Sequence, residues 1–192
     1  EIGSRFENDK VNGSISIYQS KKKNSIFRDA ENFIVDNGKT DHEGVELSLD
    51  WFINTNNTIS TSLTYGDHKY DFATDTSMRE KIRIGNKIDT SPTLMANLIW
   101  DIILGDDNLL SFEIEHMSAY YTDAANLHKY DGHTLYHTRF NRYISPTLEV
   151  FIRIDNIFDK AYAERADFNA FGGDRYFPGL PREFYVGIEY TF

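Results

Sequence analysis

The sequence has no cysteine, only 4 prolines in 192 residues, and no apolar run approaching the length of a membrane helix. Without thiols, neither a disulfide framework nor a thiolate metal site is available. A spanning helix needs about 20 consecutive apolar residues, and the mean hydropathy here is −0.51. Positive charge is scarce as well: the net charge is −10, and Lys21, Lys22 and Lys23 form the single basic run. Such a balance repels phosphate backbones and speaks against a nucleic-acid partner. The GxSxG, Walker A, HExxH and CxxC patterns are missing too, so the usual catalytic signatures give no reason to expect an enzyme. Low hydropathy nevertheless does not exclude a membrane, because a β-barrel crosses it without an apolar run. A transmembrane strand needs apolar residues only at alternate positions.

Aromatic residues are abundant, with 14 Phe, 12 Tyr and 2 Trp. Period-two alternation recurs along the chain and predicts strands. Val11, Gly13, Ile15 and Ile17 alternate with Asn12, Ser14 and Ser16. Val45, Leu47, Leu49, Trp51 and Ile53 alternate with Glu46, Ser48 and Asp50, and Ile59, Leu63 and Tyr65 with Ser60, Ser62 and Thr64. The pattern returns at 93–102, 110–115, 136–141, 148–155 and 183–192, with a partial strand at 1–6, for about nine strands in all.

The connections alternate in length. Short ones fall near 7–9, 54–57, 105–108 and 145–146; long ones span 21–39, 67–91, 122–132 and 159–182. Tight turns at one end and long loops at the other are the plan of an outer-membrane barrel, with periplasmic turns and extracellular loops. Glu46, Asp50, Glu113, Glu115, Arg139, Glu149, Arg153 and Asp155 all lie on the non-apolar side of their strands. A charge on the lipid side costs about 2–4 kcal/mol at the midplane, so the charged faces are expected to line a wet lumen. A soluble sandwich or lipocalin-like barrel would show the same alternation, with its apolar side as core. The alternating loop lengths and the last strand count against it.

That last strand alternates to the final residue. Its "GIEYTF" places Gly187, Tyr190 and Phe192 in a pattern that resembles the C-terminal signal by which bacterial outer-membrane barrels are recognised for insertion. More broadly, the stretch from Ser145 to Phe192 resembles the last two strands and last loop of a TonB-dependent outer-membrane receptor. "DNIFDKAY" is similar to the family's N-L-F-D-x-x-Y signature, with Ile157 where Leu is usual; "YFPGLPREFYVGIEYTF" resembles its usual close. "KTDHEGVELSLDW" is similar to the recurrent G-x-E segment.

The resemblance implies an all-β, antiparallel transmembrane barrel of about 22 strands, with a plug and a TonB box. Nothing in the sequence resembles the plug or the box, so residues 1–192 are expected to form a partial, C-terminal barrel domain. The implied function is a share in importing a scarce nutrient across the bacterial outer membrane, a ferric siderophore or other iron complex. The implied partners are outer-membrane lipid and lipopolysaccharide, the TonB complex through the missing N-terminal part, and a small-molecule metal chelate. No cofactor is implied. The alternative is a self-contained small barrel acting as a passive pore or adhesin; a third reading is a soluble β-domain.

Within the signature, Asn156 and Asp159 are expected to cap a turn, and Phe158 and Tyr162 to join an interfacial aromatic girdle. Ligand capture is expected from the long loops. Arg79 and Arg83, with Lys87, come from one; Arg165, Phe171, Arg175 and Tyr176, beside Asp167, Phe168, Asp174 and Phe177, from the last; Phe27 and Arg28 from the first. Aromatic rings stack on planar ligands and arginines pair with anionic oxygens. His128, His133 and His137 lie near Asp131, but His133 and His137 would stand about 13 Å apart along one strand face. No metal centre is expected, and His128 and His133 read as loop histidines. Glu113 with Glu115, and Glu149 with Asp155, read as lumen charges because no nucleophile accompanies them.

Overall fold

The computed structural model describes residues 1–29, 31–74 and 81–192, and no helix occurs among them. Nine strands form one antiparallel sheet: β1 (Ile2–Glu7), β2 (Val11–Arg28), β3 (Ile34–Asn54), β4 (Asn57–Tyr70), β5 (Leu94–Ile103), β6 (Asn108–Met117), β9 (His133–Ser145), β10 (Leu148–Asp155) and β13 (Glu183–Tyr190). Two small hairpins stand apart, β7 (Tyr120–Tyr121) with β8 (Lys129–Tyr130) and β11 (Ala163–Asn169) with β12 (Gly173–Pro178). Each strand of the large sheet pairs with the next in order, and β1 and β13 remain unpaired edges, so the sheet does not close. The nine antiparallel strands follow the alternation, and the open sheet is consistent with the partial barrel that the family resemblance implies.

Register fixes the two faces. Trp51 stands opposite Ile59, Ile59 opposite Trp100, and Trp100 opposite Phe112. That row sits near the short-turn end, with the Trp100 and Phe112 rings 6.2 Å apart. Along β3 the apolar positions run from Val45 to Ile53, roughly 27 Å of strand. Trp51, Trp100, Phe112, Ile152, Phe184, Val186 and Ile188 are all exposed. A continuous apolar face of this extent is unstable in water and suited to hydrocarbon.

The opposite face is tied together by polar side chains. Ser60 donates to Asp50 at 2.7 Å, Asn97 to Glu113 at 2.5 Å, and Arg153 to Asp155 at 2.7 Å. His137 stands between Asp155, at 3.1 Å, and Glu115, at 3.5 Å. Glycines open space for rings here. Gly44 pairs with Tyr18 and Gly66 with Gly44; the Tyr18 phenol lies in the space that a β-carbon would need at Gly44, and the His68 ring in that at Gly66. Gly187 stands opposite Phe151 in the same way.

Several local expectations change. The segment 21–39 is mostly sheet, since β2 continues to Arg28 and β3 starts at Ile34. His133 opens β9 and is not a loop residue. Phe158 is exposed and packs edge-to-face on Tyr136 at 5.2 Å, as a girdle residue would. Tyr162 instead turns inward, its ring 4.7 Å from His133 and filling the space beside Gly179, which has no side chain to block it.

Candidate functional site

Every long connection emerges at the same end of the sheet, and the connections are knitted together. Asp123 shapes the turn between β7 and β8 by accepting from the backbone amides of Leu127, at 2.9 Å, and His128, at 2.7 Å. Asn126 reaches across to the preceding loop, accepting from the Lys87 amide at 2.7 Å and donating to its carbonyl at 2.9 Å. The β11–β12 hairpin docks on this base: the Tyr120 hydroxyl accepts from the Ala166 amide at 2.7 Å and donates to its carbonyl at 3.2 Å. His128 stacks on Phe168, with ring centroids 3.9 Å apart, and its Nδ1 lies 3.0 Å from Asp174.

Two clusters supply the apolar support, Tyr120, Tyr130, Ala163 and Ala166 in one, and Tyr70, Ile82 and Ala124 in the other. The buried apolar residues thus collect mainly in the loops, whereas the sheet leaves its apolar side exposed.

Between the loops lies a cavity of about 280 Å³, lined among others by Phe27, Tyr70, Asp89, Arg165, Asp167 and Arg175. Alternation within β11–β12 puts Arg165, Asp167 and Arg175 on one face. Asp167, its side chain only 7% exposed, accepts from Arg165 Nη2 at 2.8 Å and from Arg175 Nε at 2.6 Å. The two arginine side chains are 64% and 50% exposed, and their guanidinium groups keep further N–H donors for a ligand. Across the cavity Tyr70 donates to Asp89 at 2.6 Å, and burial pushes the Asp89 carboxyl up from its usual range despite that bond. The arrangement can hold anionic oxygens against the arginines, with ring faces beside them.

Of the residues expected to bind ligand, Arg165 and Arg175 are brought together. Tyr176 lies on the other face of the hairpin, 6.3 Å from the Tyr130 ring, and Phe171 stands exposed in the hairpin turn. Arg83 is exposed and donates to the Ile82 carbonyl at 3.3 Å, outside the cavity lining. Arg79 lies outside the described residues. Asp89 and Tyr70 went unnoticed in the sequence, because nothing in "GNKIDTSP" separates Asp89 from any other loop carboxylate.

The signature turn behaves as expected. Asn156 is buried in a left-handed conformation, φ 49°, which asparagine tolerates better than most residues. Its side chain accepts from the Lys160 amide at 2.9 Å and donates to the carbonyls of Lys160, at 2.9 Å, and Leu180, at 3.2 Å. Asp159 accepts from the Arg182 amide at 2.9 Å.

Residues 1–157 match the family model described as TonB dependent receptor-like, beta-barrel. The chain belongs to the TonB-dependent receptor β-barrel family. That family consists of transporters and receptors and is not an enzyme family. No curated protein matches the sequence, but solved structures do. The siderophore receptor PiuA from Acinetobacter baumannii superposes with a TM-score of 0.80 at 17% identity, over 98% of this chain and 27% of that one. The ferric yersiniabactin uptake receptor FyuA from Yersinia pestis gives 0.81 at 16%, over 99% and 29%. The copper transporter OprC gives 0.76 at 18%, over 99% and 30%. At these identities the likeness is one of fold. The chain spans under a third of the length of each of these structures.

Proposed function

We propose that this chain is the C-terminal part of the barrel of an outer-membrane receptor that imports a scarce nutrient with energy from TonB. The cargo we infer is an anionic metal chelate, a ferric siderophore or other iron complex. On this reading residues 1–192 are one partial barrel domain, and the plug and TonB box belong to the rest of the parent receptor. The loops face the outside and capture the chelate; the short turns face the periplasm. The observation that carries the reading is the open nine-stranded sheet, apolar on its outer face and hydrogen-bonded on its inner one, with every long loop at one end. The names of the similar structures, ferric chelates among them, support iron as the metal, while OprC keeps copper as the comparison.

The ligand groups we infer are Arg165 and Arg175, positioned by Asp167. Arg79, Arg83, Phe171 and Tyr176 remain candidates for contacts made by the loops in the intact receptor. Gly187, Tyr190 and Phe192 are proposed as the signal read during barrel assembly.

The test is chelate binding to the intact receptor, with ferric complexes of a catecholate, a hydroxamate and citrate as probes and the copper ion as control. Replacing Arg165 and Arg175 together by Ala is expected to weaken binding of one ferric probe by tenfold or more, since hydrogen bonds to charged groups are each worth roughly 1.5–3 kcal/mol. Unchanged affinity for every ferric probe, or binding of copper alone, would contradict it.

A further inference from the structure

The cavity between the loops also carries two acceptors that the arginine pair does not use. Asp29 and Thr122 both line it and are only 8% and 4% exposed. Asp29 follows the end of β2 and shapes the turn into β3. Its Oδ1 accepts from the amides of Glu31, at 3.0 Å, and Phe33, at 2.9 Å. Its other oxygen, Oδ2, is buried and has no hydrogen-bond partner among the described residues. The Thr122 hydroxyl is buried without a partner in the same way. The Thr122 backbone is nevertheless fixed on both sides: its amide donates to the His128 carbonyl and its carbonyl accepts from the Phe168 amide, each at 3.0 Å.

The arginines that line the cavity are engaged elsewhere. Arg28 Nη1 donates to the Asn32 carbonyl at 3.0 Å, while Arg165 and Arg175 both close on Asp167. A buried acceptor left without a donor costs about 1–3 kcal/mol, and more when it is charged. The cavity therefore offers donors at Arg165 and Arg175 and open acceptors at Asp29 and Thr122. A ligand with anionic oxygens alone satisfies the first set and leaves the second bare.

From this arrangement we propose that Asp29 and Thr122 select a ligand that carries a protonated amine beside its anionic oxygens. An ammonium has three donors and no acceptor, so it suits a carboxylate oxygen and a hydroxyl that both lack donors. A hydroxyl group on the ligand brings one donor and no charge. Whole small-molecule sites enclose roughly 300–1,000 Å³, and this cavity of about 280 Å³ takes one zwitterionic arm of a chelate. The inference rests on the chelate-receptor reading above and deepens it, and its test separates the two.

The test uses the intact receptor and two Fe(III) catecholate probes. One is the complex of dihydroxybenzoyl-lysine; the other is the same complex with methyl in place of each side-chain ammonium. The amine probe is expected to bind about tenfold tighter or better, the fold-change of one hydrogen bond to a charged group. That preference should persist as salt rises, because a buried pair is screened little, whereas general attraction to an acidic chain fades. Asp29→Asn keeps the Oδ1 acceptor on which the turn depends and should abolish the preference. Thr122→Val should reduce it, and Thr122→Ser should keep it. Equal heat-modifiability of all variants on gels verifies an intact barrel. Arg165→Ala with Arg175→Ala should weaken both probes alike; unchanged affinity of that variant for both would sink the ligand-site reading itself, and this inference with it. Equal binding of both probes, binding of neither, or a preference that survives Asp29→Asn would overturn the inference alone, and the chelate reading stands if the simpler ferric probes above still bind.

Discussion

At the scale of single residues, glycine and asparagine do work that larger or apolar residues would undo. Gly187 was legible in the sequence only as part of a terminal pattern; its physical role appears once register sets it opposite Phe151, whose ring also receives Arg139 at 4.4 Å. Gly187→Leu is expected to force that ring aside and to destabilise the sheet by about 1–3 kcal/mol, read as a lower denaturant midpoint of the receptor in detergent. Asn156→Ala removes the partners of an amide and two carbonyls at a buried site. It should cost about 2 kcal/mol locally, seen as faster proteolysis within 156–182 while the rest of the barrel stays resistant.

Asp89 brings a pH dependence with a definite sign. Burial raises its native pKa above the usual value of 3.8. Between those two values the native loop keeps a proton that the unfolded chain has released, so the contribution to stability is full below about 3.8 and fades as pH rises through the native value. Amide exchange of the loop around Tyr70 and Asp89 should therefore quicken as pH climbs through that window, after correction for intrinsic exchange, and Asp89→Asn should remove the dependence.

Among the elements, the strands of the sheet follow from alternation because one face must be apolar throughout while the other carries charge. Their extensions do not. Beyond Gln19, β2 runs through "SKKKNSIFR", where no apolar period marks a strand, and pairing with β3 alone holds it to Arg28. The β7–β8 ladder has only two pairs and depends on Asp123, a contact no local pattern announces. The site shares this limit. Arg165 and Asp167 are two apart and so co-facial in any strand, but Arg175 joins them only because the turn between Asn169 and Gly173 sets the hairpin register. The hairpin's seat is testable apart from the sheet. Tyr120→Phe strands both the Ala166 amide and carbonyl, so the loop platform should lose about 1–3 kcal/mol, with faster exchange in 163–178 and an unchanged sheet.

As a whole molecule, the chain places most of its buried apolar residues in the loops and turns the apolar side of its sheet outward. A soluble β-sandwich does the reverse, so the decisive property is which face meets lipid. This chain contributes no thiol of its own, so once any cysteine in the rest of the receptor is replaced, each introduced thiol is a single probe. Single cysteines at Val45, Leu47, Leu49 and Trp51, and at Glu46, Ser48 and Asp50, would be introduced into the intact receptor, labelled and reconstituted in bilayers containing a lipid-borne fluorescence quencher. The expected result is quenching at 45, 47, 49 and 51, and protection at 46, 48 and 50. Equal quenching at both sets, or quenching at neither with water-soluble reagents reaching both, would contradict a lipid-facing barrel wall.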